Sequence, residues 1–229
     1  MEKNKDLFID RWPSSPLEIQ PDHQDHIEMA FFETAPQGHL EIHVGKDATL
    51  DLCLADFSST SSETSFEIVL EEGASAEVHV GVLGKVEARK HYVPNVIHHG
   101  SHSTALVSCH GIATGKSFVS FTGASAIEKG SKGSDTRQEA KVILFDRDSK
   151  GNASPILKIG ENDIKASHGA SVGRLNDLHL FYLESRGLSE EEAKRLITLG
   201  YLKPIAFRFQ DESLKERLIE AIEGGILYA

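Results

Sequence analysis

Apolar and polar residues alternate with a period of two between about residues 39 and 170. For example, Leu50, Leu52 and Leu54 alternate with Asp51, and further runs of the same kind follow along the chain. A period of two places every second side chain on one face of a β-strand. Each run is short and ends at Gly, Asp or Ser. The pattern therefore predicts many short strands with one buried face.

Similar Gly-containing phrases recur at the corners between these runs. They are Gly45-Lys-Asp-Ala, Glu71-Glu-Gly-Ala, Glu128-Lys-Gly-Ser and Ser149-Lys-Gly-Asn-Ala. Their spacing is about 26, then about 57, then about 21 residues, which suits stacked coils of a β-solenoid if the middle gap spans two coils. A β-sandwich with a strand every 8–12 residues or so would give a similar pattern. Both architectures remain open at this point.

The beginning of the chain lacks this regularity. Pro13, Pro16, Pro21 and Pro36 interrupt any long periodicity, because proline removes a backbone donor and fixes φ. We therefore expect residues 1–38 to form an irregular N-terminal segment.

After residue 174 the period becomes 3.6, which predicts helices. Asn176 or Asp177 can cap a first helix that stops at Gly187. Ser189-Glu-Glu-Glu192 is a capping box for a second helix, expected to end near Gly200.

Beyond the second helix, Ile205, Phe207 and Phe209 alternate and predict one strand between Tyr201 and Phe209. Ser213 begins a third predicted helix, which stops at Gly224. The change of period points to two modules. The predicted segments are an irregular N-terminal segment at 1–38, a β core at 39–170 and a C-terminal helical domain at 171–229.

The charge of the 229-residue chain is acidic overall but unevenly distributed. With 24 Lys/Arg against 35 Asp/Glu the formal net charge is −11. Residues 1–87 hold 5 basic and 18 acidic side chains, whereas residues 88–160 hold 10 and 5. Nucleic-acid binding depends on clustered Lys and Arg, so this balance disfavours a nucleic-acid partner.

The cysteine count and the N-terminus both indicate a cytoplasmic protein. Cys53 and Cys109 are the two cysteines of the chain, too few for a disulfide framework and without a CxxC pair. The first residues are charged and lead into no apolar signal-peptide core. No apolar stretch has the roughly 18–20 residues of a membrane span, so we expect no membrane association.

Two local patterns suggest chemistry without establishing it. Gly111-Ile-Ala-Thr-Gly115-Lys-Ser has three residues between its glycines, where a phosphate-binding loop needs four, and a strand-like run follows it instead of a helix. Imidazoles and a thiolate suit zinc or iron, and these residue types gather between 91 and 110. They are His91, His98, His99, His102, Cys109 and His110. Their spacing matches no known zinc motif.

The C-terminal half contains longer and more specific motifs. Ser167-His168-Gly-Ala-Ser-Val-Gly173 is followed by Phe181-Tyr-Leu-Glu-Ser-Arg-Gly187, and upstream lies His98-His-Gly-Ser-His-Ser. In this order they closely resemble the SufB/SufD family of iron–sulfur cluster assembly proteins. The resemblance covers roughly residues 95–223 well and residues 39–94 only in style.

That resemblance implies a right-handed parallel β-helix followed by a small helical domain. It also implies a non-catalytic scaffold that pairs through its β-helix, as a homodimer or as a heterodimer with a SufB/SufD-like subunit. The helical domain would dock a SufC-type ATPase, with contacts expected at Leu178, Phe181, Tyr182, Arg186 and Gly187. The expected cargo is a transient iron–sulfur cluster or iron, with no permanently bound cofactor.

His168 matches a histidine that the family places at the paired interface, where a neutral imidazole can ligate iron. The chain resembles SufD more than SufB, because Gly169 and Glu139 stand where SufB-type members have glutamate and a conserved cysteine. Cys109 and His110 are only weak substitutes as metal ligands.

Two rival hypotheses are a metal-binding β-helix module that uses the histidine group and a β-helix enzyme acting on carbohydrate, which would need clustered carboxylates.

Overall fold

The structure, a computed structural model, describes residues 3–224. The outermost residues of the predicted 1–38 and 171–229 segments lie outside this range. The described strands are β1 (Lys3–Ile9), β2 (Leu17–Ile19), β3 (Gln24–Phe31), β4 (Gln37–Val44), β5 (Thr49–Asp56), β6 (Ser62–Leu70), β7 (Ser75–Gly84), β8 (Arg89–His98), β9 (Thr104–Ala113), β10 (Phe118–Phe121), β11 (Ala124–Ile127), β12 (Asp135–Leu144), β13 (Lys150–Ala153), β14 (Ile156–Ile159) and β15 (Lys165–Arg174). The described helices are α1 (Asp177–Glu184), α2 (Glu190–Ala206) and α3 (Glu212–Gly224).

The strands form two parallel sheets that wind into a β-solenoid. The first sheet has the order β1-β3-β5-β7-β9-β12-β15, and the second has the path β2-β4-β6-β8-β10-β13, with β11 beside β8 and β14 beside β11. Gln24 pairs with Thr49, and Thr104 pairs with Asp135. One coil is thus roughly 25–31 residues long, as the recurring corner phrases predict. The solenoid interpretation is confirmed, and the sandwich alternative is wrong.

Two apolar cores hold the molecule together. The first fills the solenoid with stacked rows of inward-facing side chains, such as Leu52, Val78 and Val107, which are paired in register. The second lies between the outer face of the first sheet and helices α2 and α3, where Ile205 and Leu218 are buried. Burial of apolar area on both sides of the same sheet stabilises the fold.

The segment before residue 39 differs from its prediction. It contains β1, β2 and β3, which pair with one another or with later strands as full members of the two sheets. Pro13, Pro16, Pro21 and Pro36 lie in the connections between consecutive strands from β1 to β4 and not within the strands. Corners tolerate proline because no ladder hydrogen bond is lost there, so the prolines bound regular coils instead of preventing them.

The helical region confirms the predicted caps and corrects one element. The Asn176 side chain caps α1, and Ser189 with Glu192 forms the capping box of α2. The strand predicted between Tyr201 and Phe209 is wrong, because α2 continues through Pro204 to Ala206. None of the helices within residues 3–224 combines the length and apolar character required to cross a membrane.

Candidate functional site

His168 lies at the uncovered end of the solenoid. It is on β15, paired in register with Gln138 on β12, and Gln138 in turn pairs with the buried Val107. His168 therefore continues a row of inward-facing core positions. Because no described strand stacks on the far side of β15, the imidazole is exposed to solvent although it belongs to an inner row.

Strand β15 is the terminal strand of the first sheet. Nearly all of its ten residues are exposed, including Val172 at 42%. A Cβ atom at Gly169, next to His168, would meet no other atom within 4 Å, so space beside the imidazole is open. Edge strands present unpaired backbone N–H and C=O groups to another chain. The open end therefore combines a free edge with an accessible potential metal ligand.

Glu139, the position at which SufB-type members would carry cysteine, faces the opposite side of the sheet from His168. It pairs in register with Gly169. Its carboxylate accepts hydrogen bonds from Arg137 and lies 3.3 Å from Lys141 Nζ. These hydrogen bonds lower the pKa of Glu139. The side chain acts here as the centre of a surface ion-pair group.

Helix α1 leaves an apolar surface exposed. None of its residues is buried, and Leu178, Phe181 and Tyr182 are between 56% and 75% exposed. The Arg186 guanidinium lies over the Tyr182 ring at 5.1 Å. The helix ends at Glu184, and Gly187 in the turn that follows has a φ of +93°, which glycine adopts without strain. We call Leu178, Phe181, Tyr182 and Leu196 together the α1–α2 apolar surface.

Cys109 and His110 are adjacent on β9 and face opposite sides of the sheet. Cys109 is part of the solenoid core, where burial raises the pKa of its thiol. The His110 ring stacks on Tyr201 of α2 at 4.9 Å, and burial lowers the pKa of His110. The structure does not bring these two side chains to a common site, or to His168.

The other histidines of the 91–110 group are also dispersed. His98 is fully buried and hydrogen-bonded to Ser103, whereas His99 is at the surface with Glu128. His91 hydrogen-bonds Glu63 and Thr122 on the outer face of the second sheet. The Gly111–Ser117 segment contains the end of β9 and the turn that leads into β10, as the strand-like run after it predicts.

A different cluster of metal-ligand side chains was missed by sequence reasoning. His26 on β3 and Asp51 and Cys53 on β5 have ligand atoms that all lie within 4.8 Å of one another. His26 Nδ1 is 2.9 Å from Asp51, and Nε2 is 2.8 Å from Glu28. Because side chains alternate along β5, Asp51 and Cys53 lie on the outer face of the sheet, whereas Leu52 faces the solenoid core. Because the sequence predicts an irregular segment at 1–38, it gives no reason to place His26 and Glu28 on a strand beside Asp51 and Cys53.

Burial and hydrogen bonding shift the protonation of this cluster. Burial lowers the pKa of His26, but hydrogen bonds to Asp51 and Glu28 outweigh it and raise the pKa to about 9. Burial would raise the pKa of Glu28, but hydrogen bonds from His26 and the Gln210 backbone lower it. Burial raises the pKa of the Cys53 thiol. At neutral pH the His26 imidazole is therefore positively charged, and it lies between the carboxylates of Asp51 and Glu28.

Comparison with known proteins gives a consistent family match. A family model described as the SUF system FeS cluster assembly, SufBD core domain, matches residues 33–201. The chain is 33% identical to the iron–sulfur cluster assembly protein SufD of Bacillus subtilis over 181 residues, or 78% of the chain. It is 29% identical to SufD of Escherichia coli over 111 residues, or 48% of the chain.

A further relative is an iron–sulfur cluster assembly SufBD family protein of Mycobacterium leprae, 32% identical over 57% of the chain. The matches cover only part of each relative. They span 41% of the B. subtilis protein, 26% of the E. coli protein and 15% of the M. leprae protein. The chain thus spans less than half the length of each of these relatives.

Proposed function

Because this chain belongs to the SufBD family of the SUF iron–sulfur cluster assembly system, we propose that it is a non-catalytic scaffold subunit in that assembly. The observation that carries the proposal is the open end of the solenoid. There a ten-residue exposed edge strand presents His168 within the region that matches the family model. The scaffold pairs at this end and holds iron or a nascent cluster there as cargo.

Pairing is supported by the unpaired edge of β15. Its outer backbone groups have no neighbouring strand among the described residues, and exposed edges readily pair with another chain. Val172 adds exposed apolar area beside the edge. A second copy or a SufB/SufD-like subunit would extend the first sheet across the interface.

The role of His168 follows from its position at that interface. An exposed imidazole can donate a lone pair to iron, and the space beside Gly169 admits ligands from a partner. The chain offers no thiolate at this end, because Cys109 is inside the core and Cys53 lies several coils away. The remaining ligands to iron would come from the partner subunit or from sulfide.

Docking of a SufC-type ATPase is assigned to the α1–α2 apolar surface. Helices α2 and α3 are fixed to the solenoid by the second core, whereas α1 contributes no buried residue. Apolar side chains exposed together in this way mark protein contacts. Closure of two ATPase subunits would then move the attached scaffolds and open the paired ends.

Pairing and iron binding are tested together with two sets of variants. We expect Val172→Lys to abolish pairing in sedimentation velocity, because a charge on an edge strand opposes pairing. Leu7→Lys, on the exposed strand β1 at the other end, should leave it intact. After anaerobic reconstitution with iron and sulfide, His168→Ala should lose iron, whereas the surface control His99→Ala should not. Pairing that survives Val172→Lys, or equal iron content in all variants, would contradict the proposal.

Docking is tested by co-purification with a candidate SufC-type ATPase. We expect Phe181→Asp to prevent complex formation without lowering the melting temperature, because Phe181 is 68% exposed. Phe207→Asp is the matched control, since Phe207 is 56% exposed but lies beyond the end of α2, outside the α1–α2 apolar surface. Equal recovery of the ATPase with both variants would refute the assignment.

A further inference from the structure

The cluster around His26 lies far from the open end, on the outer face of the first sheet. His26 pairs in register with Asp51, and Glu28 pairs with Cys53. All four side chains belong to one face of two neighbouring coils. The segment between α2 and α3 covers this face, because the backbone N–H groups of Gln210 and Asp211 donate to Glu28 Oε1.

The ligand atoms are of three kinds: an imidazole nitrogen, a carboxylate oxygen and a sulfur. Cys53 Sγ is 3.9 Å from Asp51 Oδ1, and His26 Nδ1 is 2.9 Å from Asp51 Oδ2. Ligand atoms around tetrahedral zinc lie roughly 3.3–3.8 Å apart, given bonds of about 2.0–2.3 Å. Small side-chain rotations therefore bring the three atoms to coordination distance. This mixture of ligands suits borderline divalent ions and not calcium or magnesium.

Glu28 provides a second and independent indication of a metal site. Its side chain is fully buried, and it accepts a hydrogen bond from His26 Nε2. Histidines that ligate metals through one nitrogen usually donate the other N–H to a carboxylate, which fixes the tautomer. In addition, Glu28 Oε2 has no hydrogen-bond partner within the described part of the chain. A buried carboxylate with one unpaired oxygen is stabilised by additional positive charge nearby.

A cavity of about 350 Å³ lies beside the cluster and is lined by His26 and Asp51, among other residues, whereas Cys53 is buried behind them. Lys5 Nζ lies 3.6 Å from Glu28, and Arg208 is paired with Glu77 on the next coil beside His79. These cations do not prevent binding, because a dication that displaces the protons of His26 and Cys53 leaves the net charge unchanged. Two protons leave as one divalent ion enters.

We propose that His26 Nδ1, Asp51 and Cys53 form a binding site for an exchangeable divalent transition metal, with Glu28 as the residue that positions His26. The open coordination position faces the cavity and takes water. Such a site would connect two solenoid coils to the segment that follows α2. It is independent of the scaffold function and of His168.

The test uses Co²⁺, with chelator-treated chain kept anaerobic and reduced. We expect one equivalent of Co²⁺ to produce a thiolate-to-cobalt charge-transfer band in the near ultraviolet and to release about two protons. Cys53→Ser and His26→Gln should lose the band. Cys109→Ser, which removes the other cysteine of the chain, and His168→Ala should keep it. Glu28→Gln should weaken binding by about 10–100-fold.

The proposed metal site is overturned if the wild-type chain gives no thiolate-to-cobalt band. It is also overturned if the band is lost in Cys109→Ser and kept in Cys53→Ser. A melting curve for each variant, recorded without metal, distinguishes loss of the site from loss of the fold. If His26→Gln does not fold, the conservative Cys53→Ser and Glu28→Gln variants decide the outcome. If His168→Ala loses iron after reconstitution but keeps the cobalt band, the metal site at His26 is distinct from the proposed iron site at His168.

Discussion

His98 is a single buried residue that makes the stability of the solenoid sensitive to acid. Its side chain is fully buried, with Nδ1 2.8 Å from Ser103 Oγ and Nε2 without a partner among the described residues. Burial lowers its pKa from 6.5 to about 4. The unfolded chain therefore binds a proton at this histidine between these two pH values, where the folded chain does not.

We predict that this difference reduces the free energy of unfolding by about 3 kcal/mol as the pH falls from 6.5 to 4. His98→Asn keeps a group able to hydrogen-bond Ser103 but does not titrate, so its stability should fall less over this range. The measurement is the urea midpoint at a series of pH values. His99→Asn removes an exposed imidazole whose pKa is raised by its hydrogen bond to Glu128, so the stability of this variant should fall at least as steeply as that of the wild type. Parallel curves for wild type and His98→Asn would contradict the prediction.

The residues that sequence reasoning could not place are mostly polar groups in apolar rows. Lys90 and Asp56 are fully buried inside the solenoid, where Lys90 Nζ lies 2.7–2.8 Å from both carboxylate oxygens. Gln138 likewise occupies an inner row. A charged residue in an apolar alternation normally indicates the end of a strand. Only the three-dimensional pairing reveals that it is buried with a partner.

At the level of elements, the sequence predicted the period of each module but not every boundary. The alternation of Ile205, Phe207 and Phe209 favours a strand locally. However, Thr198, Leu202 and Ile205 share one helix face and are buried, and Leu202 and Ile205 belong to the apolar core shared with the solenoid. Packing of that face decides the outcome, because tertiary burial outweighs a local preference of less than about 1 kcal/mol per residue.

Contact between α2 and the solenoid depends on Gly81 of β7. A Cβ atom at Gly81 would lie 3.1 Å from Ile205 Cγ2. We predict that Gly81→Val lowers the free energy of unfolding by about 1–3 kcal/mol, because added volume in a packed core strains its neighbours. Thermal unfolding measures the effect, and Ile205→Ala, which removes Cγ2 and Cγ1, should cost less stability in the Gly81→Val background than in the wild type.

The matched control is Gly173→Val on β15, where an added Cβ meets nothing within 4 Å. This variant should melt within a few degrees of the wild type. Limited proteolysis adds a second readout, since Gly81→Val should increase cleavage within α2 and α3 while the solenoid stays protected. Equal melting temperatures for the two glycine variants would show that α2 does not depend on close approach at Gly81.

At the level of the whole molecule, the surfaces of the solenoid differ in what covers them. Helices α2 and α3 cover the outer face of the first sheet, whereas β1 and β15 remain as its two edges. The coils before residue 88 hold most of the acidic excess, and residues 88–160 are net basic. The irregular segment expected at 1–38 would have left part of this acidic charge outside the coils. Its strands place it instead on rigid coils.

Because of this charge distribution, the effect of salt on pairing through β15 depends on the charge of the partner. Two copies joined at this edge would bring two basic regions close to each other, with Arg137 and Lys141 next to β15. Because salt screens repulsion between like charges as well as attraction between opposite charges, we predict that added salt strengthens the homodimer. A heterodimer with an acidic partner should weaken under the same conditions. Sedimentation at increasing salt measures both, and association that does not change with salt would exclude a role for the charge distribution.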